Sequence, residues 1–315
     1  MGDNSRPVVH VICGPTAAGK TRAALELARV ADVAVVSADS RQLYRGFDVG
    51  TAKPSPAEQR AVAHYGIDVL DPAERASAAW WAERADGWIR AVIARGQTPL
   101  VVGGTGLYLR ALFGHLFEEP AMDAAQRVAL QEELGELPVE ELRRWVARLD
   151  PDRAHLGRTQ LLRAIEIALL TGRRVSDLHR ERRTPPRWRA RYLLVDAGPA
   201  LGRHIAERAR TMFDAGWADE VRELSRQVSS DAPAWNASGY RTVRAMVDGE
   251  LTPDLALERV VIETRQYAKR QRTWFRHQLA GEDVTSIDSA GPAFSAQLAA
   301  WWRGAARHGR GGSAA

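Results

Sequence analysis

The chain has 315 residues, 45% hydrophobic and 26% charged, which is typical of a soluble globular protein with one large domain or two modest ones. Its 44 Lys and Arg against 39 Asp and Glu give a net charge of +5, which permits a polyanionic partner without requiring one. The single cysteine, Cys13, excludes internal disulfides and cysteine-rich zinc modules. Because no long apolar run and no secretory leader are visible, we expect a cytoplasmic chain with no membrane partner.

The first part of the chain alternates strand-like and helical patterns. The apolar runs are VVHVIC, VAVVSAD and TPLVVGG, and the helical runs are TRAALELARV, SAAWWAERADGWIRAVIARG and TGLYLRALFGHL. This alternation predicts a parallel sheet whose strands are connected by helices. After about residue 118 the pattern is helical and rich in charge until RARYLLVDAG predicts another strand, and helical patterns then resume.

The predicted fold class is α/β, with a P-loop NTPase-like core, a parallel β-sheet and an inserted helical domain. We expect the core to comprise residues 1–118 and 189–285, the second part being mostly helical, and the insertion to comprise residues 119–188. Residues 286–315 are interpreted as a C-terminal extension whose end, GRGGSAA, is expected to be disordered because it is rich in Gly and Ser.

The stretch GPTAAGKT follows the first predicted strand and has the spacing of a phosphate-binding loop, G-x-x-x-x-G-K-T. Backbone N–H groups of such a loop turn inward on an anion, the following helix adds partial positive charge, and lysine adds a full charge. The predicted diphosphate-binding residues are Gly14, Pro15, Thr16, Ala17, Ala18, Gly19, Lys20 and Thr21, with the Thr21 hydroxyl as a Mg²⁺ ligand. The loop alone does not distinguish ATP, GTP or another diphosphate.

Two more strand ends carry polar groups. Asp39 follows the second strand, where it is an acid–base group, a Mg²⁺ partner or simply a cap of the next turn. Thr105 stands among three glycines after the third strand, where the glycines either approach a ligand or merely permit the turn. Because carboxyl ends of parallel strands meet at one edge of a sheet, we expect both residues beside the phosphate loop.

Six motifs together resemble the tRNA dimethylallyltransferase (isopentenyl-tRNA transferase) family over about residues 8–278. They are GPTAAGKT, SADSRQLYRGFDVGTAKP, VVGGTGLYLRAL, RAIEIALLTGR, GYR and YAKRQRTWFR, in the family's order and approximate spacing. The resemblance implies that the phosphate loop holds dimethylallyl diphosphate, and that the acceptor is the N6 amino group of the adenosine immediately 3′ of the tRNA anticodon.

The resemblance also implies roles for single residues. Asp39 corresponds to the general base, and Thr105 and Arg208 to groups that assist at the reacting centre, with Mg²⁺ as the cofactor. The insertion would bind the anticodon stem-loop. The implied tRNA contacts are Asp39, Ser40, Arg41, Gln42, Thr105, Arg127, Thr159, Gln160, Arg163, the segment from Asn236 through Gly239 and Tyr240 to Arg241, Lys269 and Arg272.

The chain departs from the family pattern at four positions. Leu156 and Gly157 replace an Asn-Asp pair, Gln160 replaces an arginine, and His204 stands where an arginine is frequent. These differences concern how the anticodon loop is held more than the chemistry, because the phosphate loop, Asp39 and Thr105 are retained.

A basic stripe supports a nucleic-acid partner independently of the resemblance. Arg265, Lys269, Arg272 and Arg276 lie on one face if residues 254–278 form one helix, and no Pro or Gly interrupts that segment. We expect this face to meet RNA phosphates; the alternative is that the same side chains form ion pairs with the core. HRERRTPPRWRARY adds further arginines.

Two other functions are compatible with parts of the sequence. A nucleotide or small-molecule kinase shares the phosphate loop and could use Asp39 as its catalytic or metal-binding carboxylate. A non-catalytic RNA-binding protein with a P-loop would explain the basic stripe but not the joint presence of Lys20, Asp39 and Thr105. We expect the chain to act as a monomer.

Overall fold

The protein is described here by a computed structural model, which covers residues 6–114, 120, 122–181 and 186–309. Within these residues one sheet of six strands has the order β3-β2-β4-β1-β5-β6, and every neighbouring pair is parallel. The strands are β1 (Val8–Cys13), β2 (Val33–Ser37), β3 (His64–Tyr65), β4 (Thr98–Gly103), β5 (Arg189–Asp196) and β6 (Val284–Asp288). The predicted α/β fold with a parallel sheet is confirmed.

The chain divides into two compact units, Met1–Phe113 with Arg187–Ala315, and Gly114–Pro186. The first unit contains the sheet and the helices α1 (Lys20–Ala28), α2 (Pro56–Ala61), α3 (Ala78–Ala94), α4 (Gly106–Phe113), α9 (Leu201–Asp214), α10 (Trp217–Gln227), α11 (Tyr240–Val247), α12 (Pro253–Gln278) and α13 (Phe294–Gly309). The second contains α5 (Ala124–Gly135), α6 (Val139–Leu149), α7 (Arg158–Thr171) and α8 (Val175–Glu181). The helical unit therefore interrupts the core between β4 and β5.

The central strands are buried on both faces, which is why they read as nearly continuous Val, Ile and Leu. Every residue of β2 is buried, and β1 lies between β4 and β5, with Cys13 opposite Gly103 on one side and Leu194 on the other. Because all strands are parallel, the loops after β1, β2, β4 and β5 leave the sheet at one edge. This edge carries the predicted site residues.

The helical unit has a hydrophobic core of its own. Leu142, Val146, Leu161, Ile165 and Leu178 are among its buried members. Helix α6 buries one apolar face through Leu142 and Val146 and leaves most of its charged residues exposed, which is the pattern of an amphipathic helix packed on neighbours.

The segment after residue 283 completes the first unit. β6 pairs with β5, and Phe294, Leu298 and Trp301 of α13 are buried in the same core cluster as Ile12. The residues up to Trp301 therefore pack with the core, and the interpretation of residues 286–315 as a C-terminal extension stays a prediction. The segment predicted to be disordered, GRGGSAA, begins at Gly309, the last residue of α13, and its other residues lie outside the described part.

The helices were compared with the length and apolar character that a membrane-spanning helix needs. None of the helices α1–α13, within the described residues, is both long enough and apolar enough to cross a bilayer.

Candidate active site

The phosphate-binding loop joins β1 to α1, and its conformation depends on glycine. Gly14 has φ +146°, and a Cβ there would lie 2.0 Å from the carbonyl oxygen of Val195, so only glycine fits against β5. Helix α1 begins at Lys20, which directs its N-terminal N–H groups and their partial positive charge toward the loop. The Lys20 Nζ donates to the carbonyl oxygen of Pro15 at 2.7 Å, which folds this side chain back over the loop.

A cavity adjoins this loop, and charges of both signs face it. Its lining includes residues 16–21, Asp39, His204 and Arg208. Burial lowers the pKa of Lys20 to about 8, although the Asp39 carboxylate acts in the opposite direction. Burial also lowers the pKa of Arg208, again opposed by Asp39. Two desolvated cations and one carboxylate therefore share the space beside the loop, which suits an anionic ligand that reacts near a base.

The turn after β4 is linked to the backbone on both sides of Asp39. The Thr105 N–H donates to the carbonyl oxygen of Ala38 at 3.1 Å, and the Ser40 N–H donates to the Thr105 Oγ1 at 3.0 Å. Asp39 Oδ1 accepts a hydrogen bond from the Arg41 N–H at 2.9 Å. The structure thus brings Thr105 and Asp39 together at adjacent strand ends, as the sequence predicts.

Helix α12 supplies two polar side chains that the sequence analysis did not assign. The Tyr267 hydroxyl is hydrogen-bonded to the Thr105 side chain, and burial raises the pKa of Tyr267 to about 12, with Asp39 acting in the same direction. Gln271, one turn later, lies beside the phosphate loop. Their spacing of four residues in YAKRQRTWFR was the available signal, because i and i+4 positions share one helix face.

A second cavity shares Thr16, Asp39, Arg208 and Tyr267 with the first and continues along an apolar wall. That wall is formed by Ile205, Ala209, Met212, Trp217 and Val260. The Trp217 ring packs directly against the backbone at Gly50 and Gly239. A Cβ at Gly50 would lie 2.2 Å from the ring and a Cβ at Gly239 would lie 2.4 Å from it, so neither position has room for a side chain.

A third cavity contains several of the predicted tRNA contacts. Arg41, Asn236, Gly239 and Arg241 are among its lining residues. Arg241 donates to Asn236 Oδ1 at 2.8 Å, which orders the guanidinium at the surface. These predicted contacts therefore converge on one recess of the first unit.

Tyr240 behaves differently from its neighbours. Its side chain is fully buried, packs against Phe47 and Trp217, and donates from its hydroxyl to Glu220 Oε1 at 2.6 Å. This side chain has no exposed surface, so only the backbone of Tyr240 is left to reach tRNA, and its predicted tRNA contact stays a prediction. Glu220 also accepts from the Val49 N–H at 2.6 Å, so Tyr240 and Glu220 together hold the loop after β2.

Gln42, at the start of the same loop, makes internal hydrogen bonds. Its Oε1 accepts from the Ser37 hydroxyl at 3.2 Å, and its Nε2 donates to the Ala52 carbonyl oxygen at 3.2 Å. The side chain also lines the cavity beside the phosphate loop. Gln42 therefore orders the loop that carries Asp39, and its predicted tRNA contact stays a prediction.

In the helical unit two predicted tRNA contacts meet on one buried carboxylate. Arg127 and Arg163 each lie 3.2 Å from Glu166 Oε2, and the Glu166 side chain is 5% exposed. Burial lowers the pKa of Arg163, and Glu166 opposes that shift. Thr159 and Gln160 are exposed in the first turn of α7. Gly157, the N-cap residue, has no side chain to cap the helix, and its N–H donates to the Gln160 Oε1 at 3.4 Å.

The basic stripe lies on one continuous helix, α12, as predicted, but its side chains have different environments. Arg272 forms a two-point ion pair with Asp196, with Nε 2.8 Å from Oδ2, and also donates to the Gly198 carbonyl oxygen at 2.8 Å. Lys269 and Arg276 are exposed. The alternative of an ion pair with the core applies to Arg272, and its predicted tRNA contact stays a prediction.

This geometry defines a class of protein: a P-loop-type α/β enzyme whose phosphate site opens beside a carboxylate. A family model described as "IPP transferase" matches residues 42–278, and one described as "Isopentenyl transferase" matches residues 7–68. The chain belongs to the IPP transferase family.

Named relatives agree with this assignment. A "tRNA dimethylallyltransferase" of Thermosynechococcus vestitus is 40% identical over 88% of this chain and 88% of its own length. The crystal structure of a full-length tRNA isopentenylpyrophosphate transferase from Bacillus halodurans is 30% identical, has a TM-score of 0.69, and overlaps 96% of this chain and 97% of that one. A eukaryotic dimethylallyltransferase acting on tRNA shares the fold, with a TM-score of 0.78 at 22% identity over 93% of this chain and 77% of that one.

Proposed function

We propose that the protein transfers the dimethylallyl group of dimethylallyl diphosphate to the N6 amino group of the adenosine 3′-adjacent to the tRNA anticodon. One observation carries the proposal: a cation-lined phosphate cavity and an apolar cavity share Asp39 and Arg208. A ligand with an anionic head and a short hydrocarbon tail matches both parts. A nucleoside triphosphate would place a polar sugar and base where the apolar wall lies.

The diphosphate belongs in the first cavity. Positive charge is offered to the leaving group by Lys20, by Arg208 and by the amides at the start of α1. Each of these interactions stabilises the leaving group more strongly in a desolvated site than it would in water. Mg²⁺ fits the donor chemistry here, because it binds phosphate oxygens together with one or two protein oxygens and keeps several waters. Thr21 would hold the ion, which would neutralise charge on the diphosphate. Within the described residues there is no cluster of three or more His, Cys, Asp or Glu side chains that could hold a metal ion, so the diphosphate would supply most of the ligands.

The hydrocarbon tail belongs against Ile205, Met212, Trp217 and Val260. Apolar contact with these side chains stabilises the tail by roughly 0.8 kcal/mol for each buried methylene-sized group. This placement leaves the allylic C1 where the two cavities meet, beside Asp39.

Transfer then exchanges the C1–O bond for a C1–N6 bond and moves one proton from N6. The N6 lone pair attacks C1, the C1–O bond breaks, and the diphosphate leaves with the electron pair. Asp39 takes the proton that N6 must lose, because an exocyclic adenine amine is a poor nucleophile until that proton has an acceptor. Thr105 and Tyr267 hold the turn beside Asp39 and give the substrate hydrogen-bonding groups near the reacting atoms.

The RNA would reach the site from the recess lined by Arg41 and Arg241, with Lys269 as a further phosphate contact. Thr159 and Gln160 are the proposed contacts of the helical unit. A tRNA substrate is consistent with a cytoplasmic location and with the net positive charge.

The deciding experiment incubates purified protein with unmodified tRNA, dimethylallyl diphosphate and Mg²⁺, followed by mass spectrometry of the digested nucleosides. The expected result is N6-(dimethylallyl)adenosine at the position 3′ of the anticodon. Hydrolysis of ATP or GTP without prenylated nucleoside would instead identify a kinase-like or nucleotide-hydrolysing enzyme.

A further inference from the structure

Gln271 connects two loops of the site through a single side chain. The residue is 6% exposed. Its Oε1 accepts a hydrogen bond from the Thr16 N–H at 2.8 Å, and its Nε2 donates to the Gly104 carbonyl oxygen at 2.8 Å. Thr16 belongs to the phosphate loop after β1, and Gly104 belongs to the turn after β4. One amide from α12 therefore joins these loops.

The bridge is closely packed and chemically selective. A Cβ at Gly104 would lie 2.4 Å from the Gln271 Nε2, so the amide occupies space that any other residue at position 104 would fill. The Thr16 N–H requires an acceptor, and the Gly104 carbonyl requires a donor. A glutamine amide offers both without charge, whereas an ionised glutamate has no donor and a methionine has neither strong group.

The Gly104 side of the bridge leads directly to Asp39. Thr105, the next residue, bonds the backbone of Ala38 and of Ser40, which are the two neighbours of Asp39. The Thr16 side leads to the loop that holds Lys20. Gln271 thus lies between the group proposed to bind the leaving diphosphate and the group proposed to accept the proton.

We infer that Gln271 is a positioning residue that sets the phosphate loop at a fixed distance from Asp39. The inference rests on the proposed function. Transfer requires the departing diphosphate and the proton acceptor to be in place at the same moment, and a displacement of about 1 Å in such an arrangement lowers rates about 10²-fold. Gln271 touches neither reacting atom and acts through the two loops.

Three variants test the inference. Gln271→Met preserves size and neutrality but removes both hydrogen bonds, and Gln271→Glu preserves shape and the acceptor. Gln278→Glu is the matched control, because it makes the same change at an exposed position at the end of the same helix. Gln271→Met should lower kcat about 10²-fold while the KM for tRNA changes less than about threefold, and the control should keep kcat within about twofold.

The glutamate variant adds a pH readout that a merely structural role would not give. An ionised Glu at position 271 presents an oxygen to the Gly104 carbonyl, whereas a protonated Glu donates to it and restores the bridge. Burial raises the pKa of such a carboxyl above its usual value of about 4.3. The ratio of kcat for Gln271→Glu to wild-type kcat should therefore rise about tenfold or more as the pH falls from about 8.5 to about 6.

The outcomes separate this inference from the proposed function. If wild-type protein makes no prenylated adenosine, the proposed function fails, and binding of inorganic diphosphate then tests Gln271 alone: about tenfold weaker binding to Gln271→Met supports a role in setting the loop, and equal binding overturns it. If wild type is active, a folded Gln271→Met with kcat within threefold of wild type overturns the inference. A lowered Tm with a pH-independent ratio for Gln271→Glu also overturns it, since it would show structural support only.

Discussion

Arg272 and Lys269 are only three residues apart on α12, yet the structure predicts that replacing them affects different properties of the protein. Replacing Arg272 with Gln removes the two-point ion pair with Asp196 and the hydrogen bond to Gly198. Replacing Lys269 with Gln removes an exposed cation. We therefore expect Arg272→Gln to lower stability and Lys269→Gln to weaken RNA binding.

The magnitude follows from the exposure of the ion pair. A hydrogen bond to a charged group is worth about 1.5–3 kcal/mol when buried, whereas an exposed ion pair is worth about 0–1 kcal/mol. The Arg272 and Asp196 side chains are 36% and 33% exposed, so water screens part of the attraction. Arg272→Gln should therefore lower the free energy of unfolding by about 1–2 kcal/mol, and Lys269→Gln should change it by less than about 0.5 kcal/mol.

Urea unfolding and a salt series of tRNA Kd values measure the two effects. In the double variant Arg272→Gln/Asp196→Asn, the loss of stability should be smaller than the sum of the single losses, because both changes remove one interaction. Lys269→Gln should reduce the slope of log Kd against log salt by about one phosphate contact. The reasoning is refuted if Arg272→Gln flattens that slope and leaves unfolding unchanged.

Three further predictions concern single titratable groups. Asp39→Asn should lower kcat about 10²–10⁴-fold with an unchanged Tm, because it removes the proton acceptor but no core packing; turnover like wild type would exclude the role. The pH profile of kcat/KM for the donor should fall as pH rises through about 8, where the free Lys20 ammonium loses its proton, and a level profile to well above that pH would contradict its role. Burial against Trp301 and Trp302 lowers the pKa of His10 to about 4, with the Arg191 charge acting in the same direction. Since the unfolded chain takes up this proton near pH 6.5, stability should fall by on the order of 3 kcal/mol as the pH drops from about 6.5 to about 4, and urea unfolding of His10→Phe should lack that component.

The sequence predicts those parts of the fold whose residues carry the signal locally. VVHVIC is β1 from end to end, and GPTAAGKT forms the expected turn into α1, because both depend on neighbouring residues. β6 was not predicted, since VTSID is short and only Ile287 in it is buried, which leaves no clear apolar period. Edge strands of this kind are recognised from their partner, here β5, which is distant in sequence.

The site shows the same division. Asp39 and Thr105 follow strands, so the parallel topology is sufficient to bring them together. Helical spacing assigns Arg272 to the cationic face of α12. Its partner Asp196 lies at the end of strand β5, which is distant in sequence, and no local pattern pairs the two residues. The burial of Tyr240 could not be predicted for a similar reason: the residues that bury it, including Phe47 and Trp217, come from separate loops and helices.

The position of β1 in the sheet has a consequence for biosynthesis. β1 leaves the ribosome before β4 and β5, which are its two neighbours in the sheet, and its Val8 lies opposite Arg189 of β5. The intervening helical unit consists of consecutive helices around its own core, so it can form from local contacts before β5 is available to pair with β1. During translation one edge of β1 and the apolar face of α1 therefore stay uncovered until β5 and α13 have been made, which exposes an unpaired strand edge and apolar surface to non-native contacts.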